Sequence, residues 1–198
     1  MKPTGIRFFA LAMAFSASGA AFAEGGLSVG VLAGVADQTT ETEGGRDYEG
    51  DDASLGLRVA YGFNPYVALE LAYSDFGEYE ETYNPVSTVI VTDKFSTDAF
   101  LLGARVIWPV NDVFSLHARA GAARWTLELE NDASSRTSPF TDDESGVSPY
   151  YGIGGDAALG EHWSLSLEYT VMNFDADLGT NSVEHDLKNA SLAFGYRF

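Results

Sequence analysis

Trp163-Ser164-Leu165-Ser166-Leu167-Glu168-Tyr169-Thr170-Val171 is the stretch on which the fold turns. Bulky apolar side chains occupy every second position, and Ser164, Ser166, Glu168 and Thr170 lie between them. A repeat of two is the repeat of a β-strand, whose successive side chains point to opposite faces. The pattern recurs along the chain. Leu27, Val29, Val31, Ala33 and Val35 share one face, as do Leu55, Leu57, Val59, Tyr61 and Phe63. Val67, Leu69, Leu71 and Tyr73 follow, then Phe100, Leu102, Ala104, Val106 and Trp108. Phe114, Leu116, Ala118 and Ala120, then Tyr151, Ile153, Ala157 and Leu159, and last Leu192, Phe194, Tyr196 and Phe198 complete the set. The whole set comprises eight segments.

The opposite face of each segment is small or charged: Ser54, Gly56 and Arg58; Gly103 and Arg105; Gly152, Gly154 and Asp156. In a soluble barrel the large side chains would point inward. An eight-stranded barrel has room inside only for side chains, so the small and charged face suits the lumen and the bulky face needs an apolar solvent, which lipid supplies. The connections agree. Asn64-Pro65, Pro109 to Asp112 and Gly160 to His162 are tight turns, whereas 39–52, 77–94, 130–148 and 175–187 read as long polar loops. Short turns at one end and long acidic extracellular loops at the other predict an all-β, eight-stranded antiparallel up-and-down transmembrane β-barrel, with both termini periplasmic. Tyr61, Phe63, Tyr66, Trp108, Phe114, Trp163, Tyr196 and Phe198 cluster near strand ends, as interfacial aromatics do. Trp125, Leu127 and Leu129 have the opposite parity to Phe114, Leu116, Ala118 and Ala120. Either a bulge near Ala122 and Ala123 restores the facing, or the strand leaves the membrane there and parity ceases to matter.

Residues 1–23, MKPTGIRFFALAMAFSASGAAFA, read as a cleaved secretory signal peptide. Lys2 and Arg7 precede an apolar run, and Ala21-Phe22-Ala23 places the cut between Ala23 and Glu24, leaving 24–198 as the barrel domain. The full chain has 198 residues and a formal charge of -18, which disfavours nucleic acid, whose phosphates need Lys and Arg. With no cysteine, disulfides, thiol catalysis and Cys-based zinc sites are excluded. Hydrophobic content of 45% is too high for a disordered acidic chain.

The C-terminal Ala190-Ser191-Leu192-Ala193-Phe194-Gly195-Tyr196-Arg197-Phe198, with Tyr150-Tyr151-Gly152-Ile153-Gly154-Gly155 and the 163–169 segment, resembles the small outer-membrane β-barrel superfamily of the OmpA-like transmembrane domain and OmpX-like proteins. The resemblance implies a bacterial outer-membrane location. It implies that Phe194, Tyr196 and Phe198 form the signal read by the barrel-assembly machinery, and that the barrel is a monomer. It does not fix a function, since such families include structural proteins, adhesins, small pores and lipid-modifying enzymes. With 24–198 read as the barrel alone, the resemblance carries no expectation of a wall anchor.

Arg58, Arg105, Arg119 and Arg197 fall on the inward face with Glu70, Asp156 and Glu168, and His117 lies nearby. Charges in a narrow lumen must pair, because unpaired buried charge is costly. A stiffening plug is the structural expectation, and a narrow ion or solute path the alternative. The acids of the long stretches (Glu41, Glu43, Asp47, Glu49, Asp51 and Asp52 in the first) make a solvated surface, or bind divalent cations that bridge to lipopolysaccharide. Tyr48, Tyr79, Tyr83 and Phe140 are aromatics available to a protein partner. His162-Trp163-Ser164 is similar to the His-x-Ser pattern of outer-membrane lipid A deacylases, but it sits at a periplasmic turn with Ser164 facing the lumen, and a nucleophile also needs its base within hydrogen-bond reach and an orienting third group. The expectation is a non-enzymatic outer-membrane protein with a structural or surface-interaction role, without cofactor or metal.

Overall fold

In a computed structural model, which describes residues 26–42, 48–86, 89–133, 140–178 and 181–198, eight antiparallel strands close into one barrel. They are β1 (Gly26–Thr42), β2 (Tyr48–Asn64), β3 (Val67–Val86), β4 (Val89–Pro109), β5 (Phe114–Ala133), β6 (Phe140–Leu159), β7 (Trp163–Leu178) and β8 (Asn181–Arg197). Each strand pairs with its chain neighbours, and β8 returns to β1. A walk along paired residues from Gln38 passes through Leu187, Met172, Tyr150, Gly121, Gly103, Glu70 and Ala60, and reaches β1 again at Ser28. That stagger tilts the strands and sets a bore that side chains can fill. The leader residues, and the cleavage site at Ala23 and Glu24, lie outside the described residues.

The alternation in the sequence is the alternation of the wall. Leu55, Ile153 and Leu167 are 64%, 65% and 63% exposed, and Val31, Phe100 and Leu192 face outward beside them. This apolar belt is the lipid-facing surface. Its edge at the short-turn end is aromatic: Trp163 stacks on Phe194 at 5.0 Å and meets Tyr196 edge-on at 4.8 Å, and Tyr61 meets Phe63 at 5.4 Å. Side chains close the turns. Asn64 Oδ1 accepts the N–H groups of Tyr66 and Val67, Asn111 Oδ1 accepts those of Val113 and Phe114, and Gly160 takes a positive φ of 83°.

The other end corrects the expectation of long loops. Most of 39–52, 77–94, 130–148 and 175–187 is strand. Once the wall passes the lipid, its outer solvent becomes water and the polarity of the alternation inverts. Lys94, Glu128, Glu130 and Asp143 now lie on or near the outer face, while Phe76, Phe95, Leu127 and Phe174 are buried inside. Polar content rises although the strand continues, so composition mimics a loop. The same inversion explains Trp125. No bulge occurs near Ala122, since β5 keeps unbroken register with β4 and β6. Trp125 and Leu127 point into the barrel, so parity does not cease to matter.

Two ladders stop early. β2 and β3 pair only up to Leu55 and Asp75, and β6 and β7 only up to Tyr150 and Met172. Both stops fall at the outer margin of the apolar belt. Within lipid every backbone group must be satisfied internally, so the wall is closed there, whereas in water it is free to part. Between the two seams lies a sheet of long strands, β3 to β6, of 20, 21, 20 and 20 residues. The remaining strands β7, β8, β1 and β2 have 16, 17, 17 and 17.

Candidate functional site: a two-tier interior

The lower tier of the lumen is ionic. Inward parity on β2, β3, β4, β5, β6 and β7 brings Arg58, Glu70, Arg105, Arg119, Asp156 and Glu168 into one cluster. Arg58 Nη1 donates to both oxygens of Glu168, at 2.6 and 2.8 Å. Arg119 Nη1 lies 3.2 Å from the same carboxylate and 3.3 Å from Glu70, and Arg105 Nη1 lies 3.9 Å from Glu168. Glu70 also accepts the Tyr150 hydroxyl at 3.1 Å, and Arg119 Nη2 donates to Thr170 Oγ1 at 2.5 Å. Asp156 accepts from Arg105 Nη2 at 2.5 Å, Ser166 Oγ at 2.5 Å and Ser115 Oγ at 3.2 Å. His117 Nδ1 sits 2.9 Å from Asp156 Oδ2 and 2.8 Å from Arg105 Nη2.

Arg197 does not join this cluster. It is exposed at the open turn end, where its backbone N–H donates to the His162 carbonyl. The strand has reached the rim by then, so inward parity no longer means a lumen position. Three guanidinium groups therefore face three carboxylates, and these six formal charges balance. Tyr150, Thr170, Ser115 and Ser166 complete the hydrogen bonding, though the sequence analysis did not single them out. Their inward parity was the available signal. Gly152 and Gly154 make room, because a Cβ at either would meet the Arg119 or His117 side chain below 3 Å.

The upper tier is apolar and aromatic. Trp125 of β5 stacks on Phe174 of β7 at 4.0 Å, and Phe174 meets His185 of β8 at 4.8 Å. His185 Nδ1 lies 2.7 Å from Thr40 Oγ1 of β1, and Thr40 lies 2.7 Å from the Tyr79 hydroxyl of β3. Tyr79 stacks on Phe95 of β4 at 5.1 Å. Six strands thus contribute to a belt around the lumen. The other two contribute glycines beneath the rings: a Cβ at Gly50 of β2 would stand 2.6 Å from Tyr79, and one at Gly146 of β6 would stand 2.5 Å from Trp125. Phe76, Leu127, Met172 and Leu187 fill the space, all under 2% exposed. Tyr79 is therefore a packing residue and not a surface aromatic; Phe140 is exposed, and the side chains of Tyr48 and Tyr83 lie outside the described residues. Burial holds the His185 imidazole down at about 4, against an opposing pull from Asp186.

On the outer face above the lipid, like charges sit directly across from one another: Asp37 opposite Asp51, Asp75 opposite Asp98, Asp175 opposite Glu184. Burial, Asp75 and Glu128 push the Asp98 carboxyl above its ordinary range. Lys94 is the local counterweight, 3.3 Å from Glu78 and 3.7 Å from Glu80, and its hydrogen bond to Glu78 raises its ammonium. Among the described residues, no group of three or more His, Asp or Glu is arranged to hold a metal. His162 is exposed at the β6–β7 turn and stacks on Tyr196, while Ser164 lies toward the lumen.

A closed lipid-belted barrel with a balanced ionic lumen defines a small outer-membrane barrel protein. Outer membrane protein A of Serratia marcescens is 26% identical over 148 residues, which cover 75% of this chain and 40% of that protein. That of Klebsiella aerogenes is 29% identical over 143 residues, 72% of this chain and 38% of its own length. The chain thus spans about two fifths of the curated relatives it matches. The crystal structure of Neisserial surface protein A superposes with a TM-score of 0.60 at 13% identity, covering 86% of this chain and 97% of the other, and shares the fold. The chain belongs to the outer membrane protein beta-barrel domain family, whose sequence model matches residues 8–198. It is a protein of the bacterial outer membrane.

Proposed function

We propose that the chain is a non-enzymatic, non-conducting barrel with a structural or surface-interaction role, displaying an acidic rim outside the membrane. The aromatic belt of Trp125, Phe174, His185, Tyr79 and Phe95 carries this reading, because it caps the ionic tier on the extracellular side. The ionic tier acts as a strut, since each guanidinium is held by carboxylates on other strands. Divalent cations bridging the outer carboxylates to lipopolysaccharide phosphates would anchor the rim. The terminal Phe194, Tyr196 and Phe198 would serve recognition by the assembly machinery, and Phe194 and Tyr196 already pack on Trp163.

Planar-bilayer recording of folded protein tests the reading. It predicts no discrete currents from the native barrel. Regular unitary currents that change in Arg105→Ala or Glu70→Ala would replace it with the pore alternative. Lipid A of unchanged mass on overexpression is expected of a non-enzymatic barrel.

A further inference from the structure

The aromatic belt encloses polar atoms that nothing satisfies. Gln38 Oε1 of β1, Thr97 Oγ1 of β4, Trp125 Nε1 of β5, Ser148 Oγ of β6 and His185 Nε2 of β8 are shielded from solvent. Among the described residues none of them has a hydrogen-bond partner. Thr97 stands opposite Leu127 and Ser148 opposite Ala123, so these atoms belong to the layer of the Trp125–Phe174 stack. Burying a polar group without a partner opposes the closed packing, and water would relieve it.

The belt also bridges a break in the wall. Above Tyr150 and Met172, residues 140–149 of β6 pair with β5 alone, and 173–178 of β7 pair with β8 alone. Trp125 of β5 and Phe174 of β7 stand on the two sides of that seam. Their stack therefore crosses a gap that no backbone ladder spans among the described residues. His185 lies directly opposite Phe174 in the β7–β8 ladder and opposite Thr40 in the β8–β1 ladder. It joins the aromatic stack to the Thr40–Tyr79 pair.

A charged imidazole has no place there. An imidazolium donates from both nitrogens. Nδ1 has Thr40 Oγ1 at 2.7 Å, and Nε2 has no acceptor among the described residues. Of the elements packed on the ring, β1 presents Thr40, β7 Phe174 and β3 Tyr79, and the phenol is the one titratable group of these three. Asp186, Glu184 and Lys188 of its own strand, Asp175 of β7 and Asp37 of β1 lie on the outer face. Asp93 of β4 and Glu144 of β6 point inward beyond the belt, on its extracellular side. We propose that the belt is an acid-sensitive cap: protonation of His185 parts Phe174 from Trp125 along the β6–β7 seam and lets water into the upper tier, while the ionic tier beneath stays closed. The inference rests on the reading of the belt as a cap.

Linkage gives the direction. The closed belt holds the imidazole at about 4, and contact with water returns it to the ordinary 6.5. The closed form is favoured above 6.5, and lowering the pH to 4 raises the ratio of open to closed belt by about a hundredfold.

Trp108→Phe/Trp163→Phe leaves Trp125 as the sole tryptophan of the full chain, which is studied in lipid nanodiscs. Expected between pH 7 and pH 4 are a red-shifted emission and a several-fold rise in acrylamide quenching, both reversible, with the cold SDS-resistant band retained. The like-charge pairs of the outer face also take up protons in this range. His185→Gln and His185→Phe keep those pairs, and in both the rise is expected to vanish. Unchanged quenching of the folded protein overturns the proposal. So does an equal rise in either His185 variant that folds, or loss of the SDS-resistant band at the same pH, which is acid unfolding of the whole barrel. Unitary currents at pH 7 would remove the reading of the belt as a cap, whatever Trp125 reports. Unchanged quenching alone leaves that reading standing.

Discussion

Glu168 is fully shielded and faces three guanidinium groups. Glu168→Ala leaves Arg58 and Arg119 short of a counter-charge in the lumen, and removing one partner from a buried ionic group costs about 3–5 kcal/mol. Urea unfolding in detergent or lipid is expected to show that loss, with a much smaller one for Arg197→Ala at the rim. Trp125→Ala removes the largest ring of the belt and is expected to cost about 3–5 kcal/mol by the same measurement. His185 gives a pH signature. Its folded value of about 4 lies below the ordinary 6.5, so the unfolded chain takes up a proton that the folded one resists. Stability from this group is complete above 6.5 and is lost as pH falls toward 4, to a ceiling of roughly 3 kcal/mol. His185→Gln is expected to flatten that part of the profile when urea midpoints are compared between pH 7 and pH 4. Parity within the lipid belt made Arg58, Glu70, Arg105, Arg119, Asp156 and Glu168 legible as inward residues. It could not show which atoms pair, because pairing depends on the stagger between strands that are distant in sequence. Trp125 was legible as an anomaly, and its cause lay in a change of solvent outside the wall.

At the scale of the strand, the sequence marks where lipid ends more clearly than where strand ends. Asp75, Asp98 and Asp143 on outward positions signal the border, and inward Phe76, Phe95 and Leu127 signal that the strand goes on. Read together they would have extended β3, β4 and β5; read as composition they suggest loops. The glycines under the belt carry their own prediction. Gly146→Val would drive a side chain into the Trp125 ring, with an expected cost of about 1–3 kcal/mol and a red-shifted tryptophan emission. Gly160→Val, with open space around it, has only its positive φ to contend with and leaves that emission unchanged.

For the whole molecule, a barrel closed by paired strands from turn to lipid margin is expected to resist SDS in the cold. Its gel mobility should shift only after boiling, and it should be found in the outer-membrane fraction. Protein that migrates identically before and after boiling would show that the lipid belt is wrongly assigned.

The unequal strand lengths have a further consequence. Three to four extra residues on β3 to β6 amount to about 10 Å of wall. Among the described residues that wall stands on one half of the circumference only. The molecule therefore has a bearing in the plane of the membrane: a body drifting along the surface meets a screen from one quarter and a low sill from the opposite one. Rotation about the membrane normal, which leaves a symmetric barrel unchanged, here turns the sheltered side toward or away from each neighbour. Encounters at this surface are gated by azimuth as well as by distance.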